Sequence, residues 1–244
     1  MTGFRMLIAT ALLAATTMML GNGAATGVPT YRCFGQAATI VGTPGDDVLI
    51  GRADTADVIV GRGGDDIIKG MTDDDYFDHS GFSPGDRLCG GPGADIVVGG
   101  MGEDHVQGSR GDDTVTGKFG YDVIARGGPG NDRLSDCDSE YTGGARKISG
   151  GPGDDYLCID KKSARMHGGS GNDVLIDFDC SSDSRLSGGR GDDRLESYFY
   201  NFEGTTCSEY GALDADTVIG GGGQDTALVN QGDIVSGTET VQPR

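Results

Sequence analysis

The sequence contains no tryptophan, only three histidines, and 19 Lys and Arg against 38 Asp and Glu, which gives a formal net charge of −19. Such a deficit of basic residues argues against a nucleic-acid partner, because phosphates require a basic surface. His79, His105 and His167 lie far apart in the chain, and no H-E-x-x-H or G-x-S-x-G motif occurs. We expect His105 and His167 to be surface residues.

Long hydrophobic runs are also missing, except near the N-terminus, where Met6 to Leu20 is apolar with small polar interruptions and follows Arg5. This pattern, followed by the small residues Gly23, Ala24 and Ala25, is typical of a secretory signal peptide. We therefore predict a signal peptide over residues 1–25 and a secreted, extracellular protein without a membrane span. The alternative is a membrane anchor, but the run is shorter than the roughly 20 apolar residues that a span needs.

Glycine is in excess, at 46 residues, and much of it falls in a nonapeptide that recurs in phase. Consecutive units are Gly90–Val98, Gly99–Gln107, Gly108–Thr116 and Gly117–Ala125, with the form G-G-x-G-x-D-x-U-x, where U is apolar. So acidic and Gly-rich a chain has little reason to fold unaided, because glycine loses much backbone entropy and the carboxylates repel one another. A cation that neutralises the carboxylates is therefore expected.

The unit predicts an all-β fold, a parallel β-roll (β-solenoid) of stacked nonapeptide coils. In x-U-x the side chains alternate across a short strand, so U points inward, and the Gly-rich half forms a turn. Two units make one coil of about 18 residues, with a strand on each side. The predicted inward residues are Leu49, Ile68, Phe77, Leu88, Val97, Val106, Val115, Ile124, Leu134, Leu157, Leu175, Leu195, Val218 and Ala227.

Counting two units per coil sorts the turns into two rows. The first row begins its units at Gly51, Gly70, Gly90, Gly108, Gly127, Gly150, Gly168, Gly188 and Gly211, and the second at Gly42, Gly61, Gly81, Gly99, Gly117 and Gly220. After Gly117–Ala125 the second row changes to irregular segments that keep an apolar residue near their ends, namely Ile148, Met166 and Leu186. We expect these segments to fall on one flank of the C-terminal half.

The domain boundaries follow from the repeat. Residues 26–41 are predicted to cap the first coil, residues 42–228 to form the cation-binding roll, and residues 229–244 to close the other end. Caps are expected because open coil ends expose unpaired strand edges.

The Asp at position six of each unit is the predicted calcium ligand. Calcium takes roughly six to eight oxygens from carboxylates and carbonyls, and a turn supplies about half of them, so each ion would bridge two successive coils. Such bridges would join Asp95 with Asp113, Asp113 with Asp132, and Asp104 with Asp122. The predicted metal ligands are Asp47, Asp66, Asp95, Asp104, Asp113, Asp122, Asp132, Asp155, Asp173, Asp193 and Asp225.

The alternative to a calcium site is a Gly/Asp-rich solenoid that stacks without metal, but its rows of Asp would repel one another at short range.

The units also carry extra acids at position five. These acids are expected to face solvent and to raise the local calcium concentration; they are Asp46, Asp65, Asp112, Asp154 and Asp192.

With these motifs the chain resembles the RTX family, the hemolysin-type calcium-binding repeat proteins, over roughly residues 42 to 241. The resemblance implies a β-roll that folds on binding Ca²⁺ outside the cell, with ligands from the position-six Asp and the turn carbonyls. Many members carry a separate catalytic domain and a C-terminal export signal. This chain departs on both counts, since it has an apparent N-terminal signal and we expect no catalytic domain, so the resemblance implies neither toxin nor protease activity.

The six cysteines include no C-x-x-C pair, and an even number behind a signal peptide indicates disulfides rather than a zinc site. We favour Cys137 with Cys158 and Cys180 with Cys207, which would tie adjacent coils and leave Cys33 with Cys89. Other pairings remain open at this stage.

A basic stripe stands out on so acidic a chain. Lys147, Arg165 and Arg185 should occupy outward positions in successive coils of the irregular flank, where they would bind an anionic or glycan ligand at the cell surface. The alternative is that these bases simply balance nearby Asp.

The function expected from the sequence is that of a secreted calcium-binding protein, a structural or cell-surface interaction module. The alternative is a carbohydrate-active enzyme, a polysaccharide lyase or hydrolase on a parallel β-solenoid. Because the acids recur in every turn, no carboxylate pair is singled out for catalysis, and we expect no enzymatic activity.

Overall fold

The computed structural model describes residues 30–52, 55–70, 85–100, 102–118, 124–135, 137, 147–159, 164–178, 183–197, 216–229 and 233–243. These residues form β-strands joined by turns. None of them belongs to a helix with the length and apolar character needed to cross a membrane.

Two sheets of 10 strands each make up the body of the molecule, and consecutive strands alternate between them. We call them the odd sheet and the even sheet after their strand numbers. The odd sheet contains β3 (Ile40–Val41), β5 (Val58–Val60), β7 (Arg87–Pro92), β9 (His105–Arg110), β11 (Ile124–Arg126), β13 (Lys147–Pro152), β15 (Arg165–Ser170), β17 (Arg185–Arg190), β19 (Thr217–Gly222) and β21 (Ile234–Ser236). The even sheet contains β4 (Val48–Ile50), β6 (Ile67–Lys69), β8 (Ile96–Gly100), β10 (Thr114–Lys118), β12 (Arg133–Ser135), β14 (Tyr156–Ile159), β16 (Val174–Asp177), β18 (Arg194–Ser197), β20 (Thr226–Val229) and β22 (Thr240–Pro243).

Every strand in these two sheets pairs in parallel with the strand one coil away, so the chain winds as a parallel β-roll. This confirms the predicted fold class. The structure arises because each x-U-x segment buries one side chain and leaves its two neighbours outside, which suits a short strand in a thin two-sheet stack.

The core is a single file of inward side chains. Val97 pairs with Val115 on the even sheet, Ile148 pairs with Met166 on the odd sheet, and all four are buried. The predicted inward residues lie in this core with three exceptions: Leu49 is half-buried at the end of the stack, Phe77 lies outside the described residues, and Ile124 was wrongly assigned.

The inward residue of the unit ending at position 125 is Ala125 rather than Ile124. Ala125 pairs with Val106 and is buried, whereas Ile124 pairs with the outward His105. The coil between these strands is one residue longer than the preceding coil, so the period-2 alternation shifts by one position.

The predicted rows are wrong at both ends of the roll. Strand register places the turns that begin at Gly42, Gly61 and Gly220 with those of the Gly90–Gly188 series, because all of them lead into even strands. The turns that begin at Gly51 and Gly211 lead into odd strands. The physical reason is coil length, since Asp66 and Asp95 are 29 residues apart and Asp193 and Asp225 are 32 apart, instead of 18 as between Asp95 and Asp113.

The irregular segments of the C-terminal half were expected to fall on one flank, and the strands that the structure describes around them all have the same order. Residues 138–146, 160–163, 179–182 and 198–215, which lie outside the described residues, all connect an even strand to the next odd strand. Ile148, Met166 and Leu186, the apolar residues at the ends of these segments, are buried.

The N-terminal segment forms a hairpin on the side of the roll. Strands β1 (Arg32–Cys33) and β2 (Gln36–Ala37) pair antiparallel, and Cys33 is disulfide-bonded to Cys89 on the outer face of β7. The hairpin buries Val58 and Val60, which point away from the main core. The predicted cap therefore covers the outer face of the odd sheet, while β3 forms the first strand of that sheet.

Two of the favoured disulfides are present. Cys33 bonds with Cys89 and Cys137 with Cys158, which confirms both pairs. The third favoured pair, Cys180 with Cys207, lies outside the described residues.

Candidate metal centre

The turns that lead into even strands, which we call the even row, share one backbone geometry after the first coil. Positions two and four then have φ in the left-handed region, as in Gly169 (135°) and Gly171 (126°), which glycine adopts without strain. The position-six Asp follows and immediately precedes the next strand. The repeat sequence therefore sets the conformation of the turn and the place of the carboxylate together.

A ladder of hydrogen bonds runs along the even row. The backbone N–H of Asp113 donates to Oδ1 of Asp132 at 2.9 Å, and the N–H of Asp132 donates to Oδ1 of Asp155 at 2.8 Å. The same bond links each pair of successive residues in the series Asp47, Asp66, Asp95, Asp113, Asp132, Asp155, Asp173, Asp193 and Asp225. One oxygen of each carboxylate after the first is thus used to hold successive coils in register.

The second oxygen, Oδ2, is buried and accepts no hydrogen bond in most of these residues, which are Asp66, Asp95, Asp113, Asp132, Asp155, Asp173, Asp193 and Asp225. It faces the first glycine of its own turn so closely that a methyl group on Gly90 or Gly150 would collide with the carboxylate of Asp95 or Asp155. Asp47, in the first coil, differs because its Oδ2 accepts from the Thr43 hydroxyl at 3.0 Å. A row of buried carboxylate oxygens without partners is costly unless a cation neutralises it.

The pKa values of the even-row Asp residues agree with the need for a neutralising cation. Burial, followed by the charge of neighbouring Asp residues, raises the pKa of Asp113 and Asp155 to about 7. Burial also raises the pKa of Asp95, Asp132, Asp173 and Asp193 to about 6 and raises that of Asp66. Burial in the protein therefore makes ionisation of these carboxyl groups more costly than it is in water.

The turns that lead into odd strands, the odd row, repeat the ladder at some coils. The N–H of Asp57 donates to Asp86 Oδ1 at 2.7 Å, and the N–H of Asp86 donates to Asp104 Oδ1 at 2.7 Å. Burial raises the pKa of Asp86 to about 7. Asp86 was missed as a site residue although its sequence position is that of Asp95 and Asp104. The predicted ligand Asp122 lies outside the described residues.

At the start of the odd row, the guanidinium group of Arg52 neutralises the carboxylate of Asp57. Arg52 donates to Asp57 from its backbone N–H at 2.7 Å and from its Nη2 at 2.5 Å, and Thr39 donates from its hydroxyl at 2.8 Å. Burial pushes the pKa of Asp57 up, but these hydrogen bonds outweigh it and the pKa is lowered. Asp57 is thus a buried turn Asp that the protein neutralises by itself.

In the C-terminal half, the odd row replaces Asp by uncharged residues at some positions. The backbone N–H of Ala164 donates to the hydroxyl of Ser184 at 3.0 Å, and Ser184 N–H donates to Asp216 Oδ1 at 2.7 Å. The Ser197 hydroxyl also donates to Asp216. These polar groups keep the ladder geometry with fewer buried charges.

The acids at position five are exposed, as expected. They also accept hydrogen bonds from backbone N–H groups, which was not predicted from the sequence. The N–H of Asn131 donates to Asp112 Oδ1 at 2.8 Å, and the N–H of Asp154 donates to Asn131 Oδ1 at 2.8 Å. Aspartate and asparagine thus serve equally in this second ladder, because only a side-chain oxygen acceptor is needed.

The predicted bridging pairs Asp95–Asp113 and Asp113–Asp132 are neighbours in the even row, and the third pair cannot be placed because it includes Asp122. Among the described residues, no three His, Cys, Asp or Glu side chains converge on one point. An ion in the even row would therefore combine an Asp Oδ2 with backbone carbonyls of the turns, a mixture that suits calcium.

The hydrogen-bond ladder of the even row ends on Glu239. Its Oε2 accepts from the N–H of Asp225 at 2.5 Å. This role of Glu239 was not predicted from the sequence.

The basic stripe lies where it was expected. Lys147 pairs with Arg165 and Arg165 with Arg185 on adjacent strands of the odd sheet, and all three side chains are exposed on its outer face. They border a shallow cavity of about 490 Å³. None of the three forms an ion pair with a described residue.

His105 was expected to be a surface residue. The hairpin instead covers it in part, and its ring meets Phe34 edge-on at 5.2 Å.

The repeat matches a known family model, the RTX calcium-binding nonapeptide repeat, at residues 36–55, 53–82, 90–124, 165–177, 181–197 and 210–233. These segments cover more than half of the chain. The chain belongs to the RTX calcium-binding repeat family. No curated protein and no solved structure matches it.

Membership of the RTX family gives the even row its chemical meaning. RTX repeats are calcium-binding motifs that form β-rolls, and the roll of this RTX chain presents an unpartnered carboxylate oxygen in successive even-row turns. The chain is therefore a calcium-binding β-roll module.

Proposed function

We propose that this protein binds Ca²⁺ mainly along the even row and that the ions drive folding of the roll. The observation that carries the proposal is the series of buried Oδ2 atoms without hydrogen-bond partners, each beside a glycine that leaves room for no side chain. The proposed even-row ligands are Asp47, Asp66, Asp95, Asp113, Asp132, Asp155, Asp173, Asp193 and Asp225. In the odd row we propose Asp86, Asp104 and Asp122, and we leave out Asp57 because Arg52 neutralises it.

The chemistry that calcium supplies here is charge neutralisation without a demand for fixed geometry. In each even-row Asp after Asp47, Oδ1 keeps its backbone hydrogen bond, while Oδ2 is left to bind the ion. Because successive Asp residues belong to successive coils, each bound ion would stabilise the contact between coils, and binding free energy would become folding free energy.

A calcium titration tests this proposal. Circular dichroism of the metal-stripped protein should show little strand signal, and the signal should rise with calcium at concentrations on the order of 0.1 to 1 mM, which is the range of extracellular modules. Magnesium serves as the control ion because it demands octahedral geometry and should not replace calcium. Full strand signal in chelator that does not increase with calcium would contradict the proposal.

We further propose that the protein acts outside the cell after removal of residues 1–25. The two disulfides support this location, because such bonds persist in oxidising compartments. Expression with residues 1–25 in a secreting host, followed by N-terminal sequencing, should give a mature chain that begins after Ala25. Retention of the full chain in the membrane fraction would favour the membrane-anchor alternative.

A second candidate function rests on the exposed bases of the odd sheet. We propose that Lys147, Arg165 and Arg185 bind an anionic glycan of a cell surface. The support is their register: adjacent parallel strands are about 4.8 Å apart, and like charges at that distance repel unless an anion offsets them.

Charge reversal tests this surface. The K147E/R165E/R185E variant should lose retention on an acidic-glycan column, while R133E/R190E/R194E, with the same change in charge, should keep it. Equal retention of both variants would reject the glycan surface.

We propose a binding function rather than catalysis. The described even-row acids recur in the same setting from coil to coil, so none of these even-row acids has the distinct environment that general acid or base catalysis requires. Incubation with uronic-acid polymers in saturating calcium should release no product, and measurable cleavage would favour the enzymatic alternative.

A further inference from the structure

A cavity of about 680 Å³ lies between the N-terminal hairpin and the even-row turns of the first coils. Its hairpin wall includes Tyr31 and Phe34, and its opposite wall includes Arg62, Ser109 and Arg110. The Cys33–Cys89 disulfide joins the two walls. The cavity is of a size that holds small organic ligands, and its lining includes no Asp of the even row.

The backbone beside this cavity breaks the rule of the repeat. Position two of the even-row turns has φ between 94° and 136° in consecutive coils, and it is glycine in the turns at Gly91, Gly128, Gly151, Gly169, Gly189 and Gly221. In two turns it is instead Arg62 (φ 94°) and Ser109 (φ 110°), which flank Gly91 from the coils on either side. Both of these residues line the cavity. Side chains in this conformation are strained, and such strain persists where a side chain is needed.

Contact with the hairpin explains why position two carries a side chain in the case of Arg62, but not in the case of Ser109. The Arg62 guanidinium stacks on the Tyr31 ring at 4.6 Å and so holds the hairpin. Ser109 makes no such contact, since its hydroxyl accepts a long hydrogen bond of 3.4 Å from Gln107 of its own strand. The strain at Ser109 therefore calls for another reason, and the hydroxyl it presents to the cavity supplies one.

The lining defines the chemistry of an occupant. Arg32, Arg62 and Arg110 line the cavity of a protein with a net charge of −19. The Arg32 guanidinium donates to the Gly35 carbonyl at 2.8 Å and that of Arg62 stacks on Tyr31. Arg110 forms no ion pair or hydrogen bond through its side chain within the described structure. Guanidinium groups bind carboxylates bidentately. Val60, Pro44 and Pro92, together with the aromatic rings, give apolar surface for the body of a ligand.

We propose that this cavity binds a small ring-shaped molecule that carries a carboxylate. Arg110 would bind the carboxylate, the hydroxyl of Ser109 would add a hydrogen bond, and the apolar wall would contact the ring. Both a sugar acid and an aromatic acid have this chemistry, and they can be separated by experiment.

Titration of the calcium-saturated full chain, followed by ¹H–¹⁵N NMR, tests the proposal with D-glucuronate and benzoate as probes and D-glucose and benzamide as neutral controls. At least one acid should shift the amides of Ser109 and Arg110 saturably at millimolar concentrations, and the acid that binds identifies the source. Binding of neither acid, or equal binding of the neutral analogue, would overturn the proposal.

Two variants sharpen the test. Arg110→Ala should weaken binding at least about tenfold, whereas Arg190→Ala should not, because Arg190 holds the same turn position further along the even row. Ser109→Gly should raise Tm by removing strain and should weaken binding as well. Equal losses for Arg110→Ala and Arg190→Ala, or unchanged binding in Ser109→Gly, would show that the cavity is not built for this ligand.

Discussion

At the scale of single residues, each even-row aspartate divides its carboxylate between two tasks. In Asp132, Oδ1 accepts the backbone N–H of Asp113, and Oδ2 is buried without a partner. An Asn at this position would keep the first function and lose the second, because its amide offers one oxygen acceptor and no charge. The two functions can therefore be separated by one substitution.

We expect Asp132→Asn to reduce the calcium-dependent part of the free energy of unfolding by about 2–3 kcal/mol at a calcium concentration about 100 times the Kd. Asp112→Asn is the matched control, because Asn already serves at this ladder position in Asn131, and it should change this quantity little. Urea unfolding with and without calcium gives the measurement. Equal effects of the two substitutions would place the bound ions elsewhere.

The first glycine of each turn predicts a steric effect of its own. Gly150→Ala should destabilise the calcium-bound protein by about 1–3 kcal/mol, because the methyl group would overlap the Asp155 carboxylate. Gly222→Ala should stay within about 0.5 kcal/mol, since no atom lies within 4 Å of the added carbon. Thermal unfolding of both variants distinguishes the two sites, and a harmless Gly150→Ala would contradict the geometry described for Oδ2.

At the scale of elements, the N-terminal hairpin shows what the repeat pattern could not predict. The hairpin has no nonapeptide, so the sequence predicted only that residues 26–41 cap the first coil. Its position on the outer face of the odd sheet depends on Val58 and Val60, on the disulfide to Cys89, and on Arg126, which lies 5.4 Å from the centre of the Phe34 ring. These are contacts between segments far apart in the chain.

Removal of the Cys33–Cys89 disulfide should therefore release the hairpin without unwinding the roll. We expect C33A/C89A to lower the free energy of unfolding in calcium by about 2–4 kcal/mol, because the bond closes a loop with a separation of 56 residues. It should also increase binding of an apolar dye to the uncovered Val58 and Val60. C137A/C158A is the control, and an equal rise in dye binding for that variant would contradict this assignment.

At the scale of the whole molecule, the raised pKa values make protons and calcium alternative partners of the same carboxylates. The folded-state pKa values of about 6 to 7 in Asp95, Asp113 and Asp155 lie above the unfolded value near 3.8. Without metal, the folded state binds more protons than the unfolded state over this range. The stability that these groups contribute is thus complete below about pH 4 and is lost as the pH rises to about 7.

The metal-free protein should accordingly gain strand signal when the pH is lowered from 8 to about 5, and the calcium affinity should fall over the same interval. In saturating calcium at neutral pH the strand signal should be complete. Circular dichroism at several pH values, with chelator and with calcium, measures both effects. A metal-free protein that loses structure on acidification through this range would contradict the cause given for the raised pKa values.

The sequence by itself determined the β-roll, most of the inward positions and the position-six aspartates of the units, because all of these follow from a local nine-residue period. Only the tertiary structure decided which turns share a row, since two long coils of 29 and 32 residues change the count. It also decided that Arg52 neutralises Asp57 and that Ala125 replaces Ile124 in the core. These features depend on how coils of unequal length stack, which a periodic pattern does not encode.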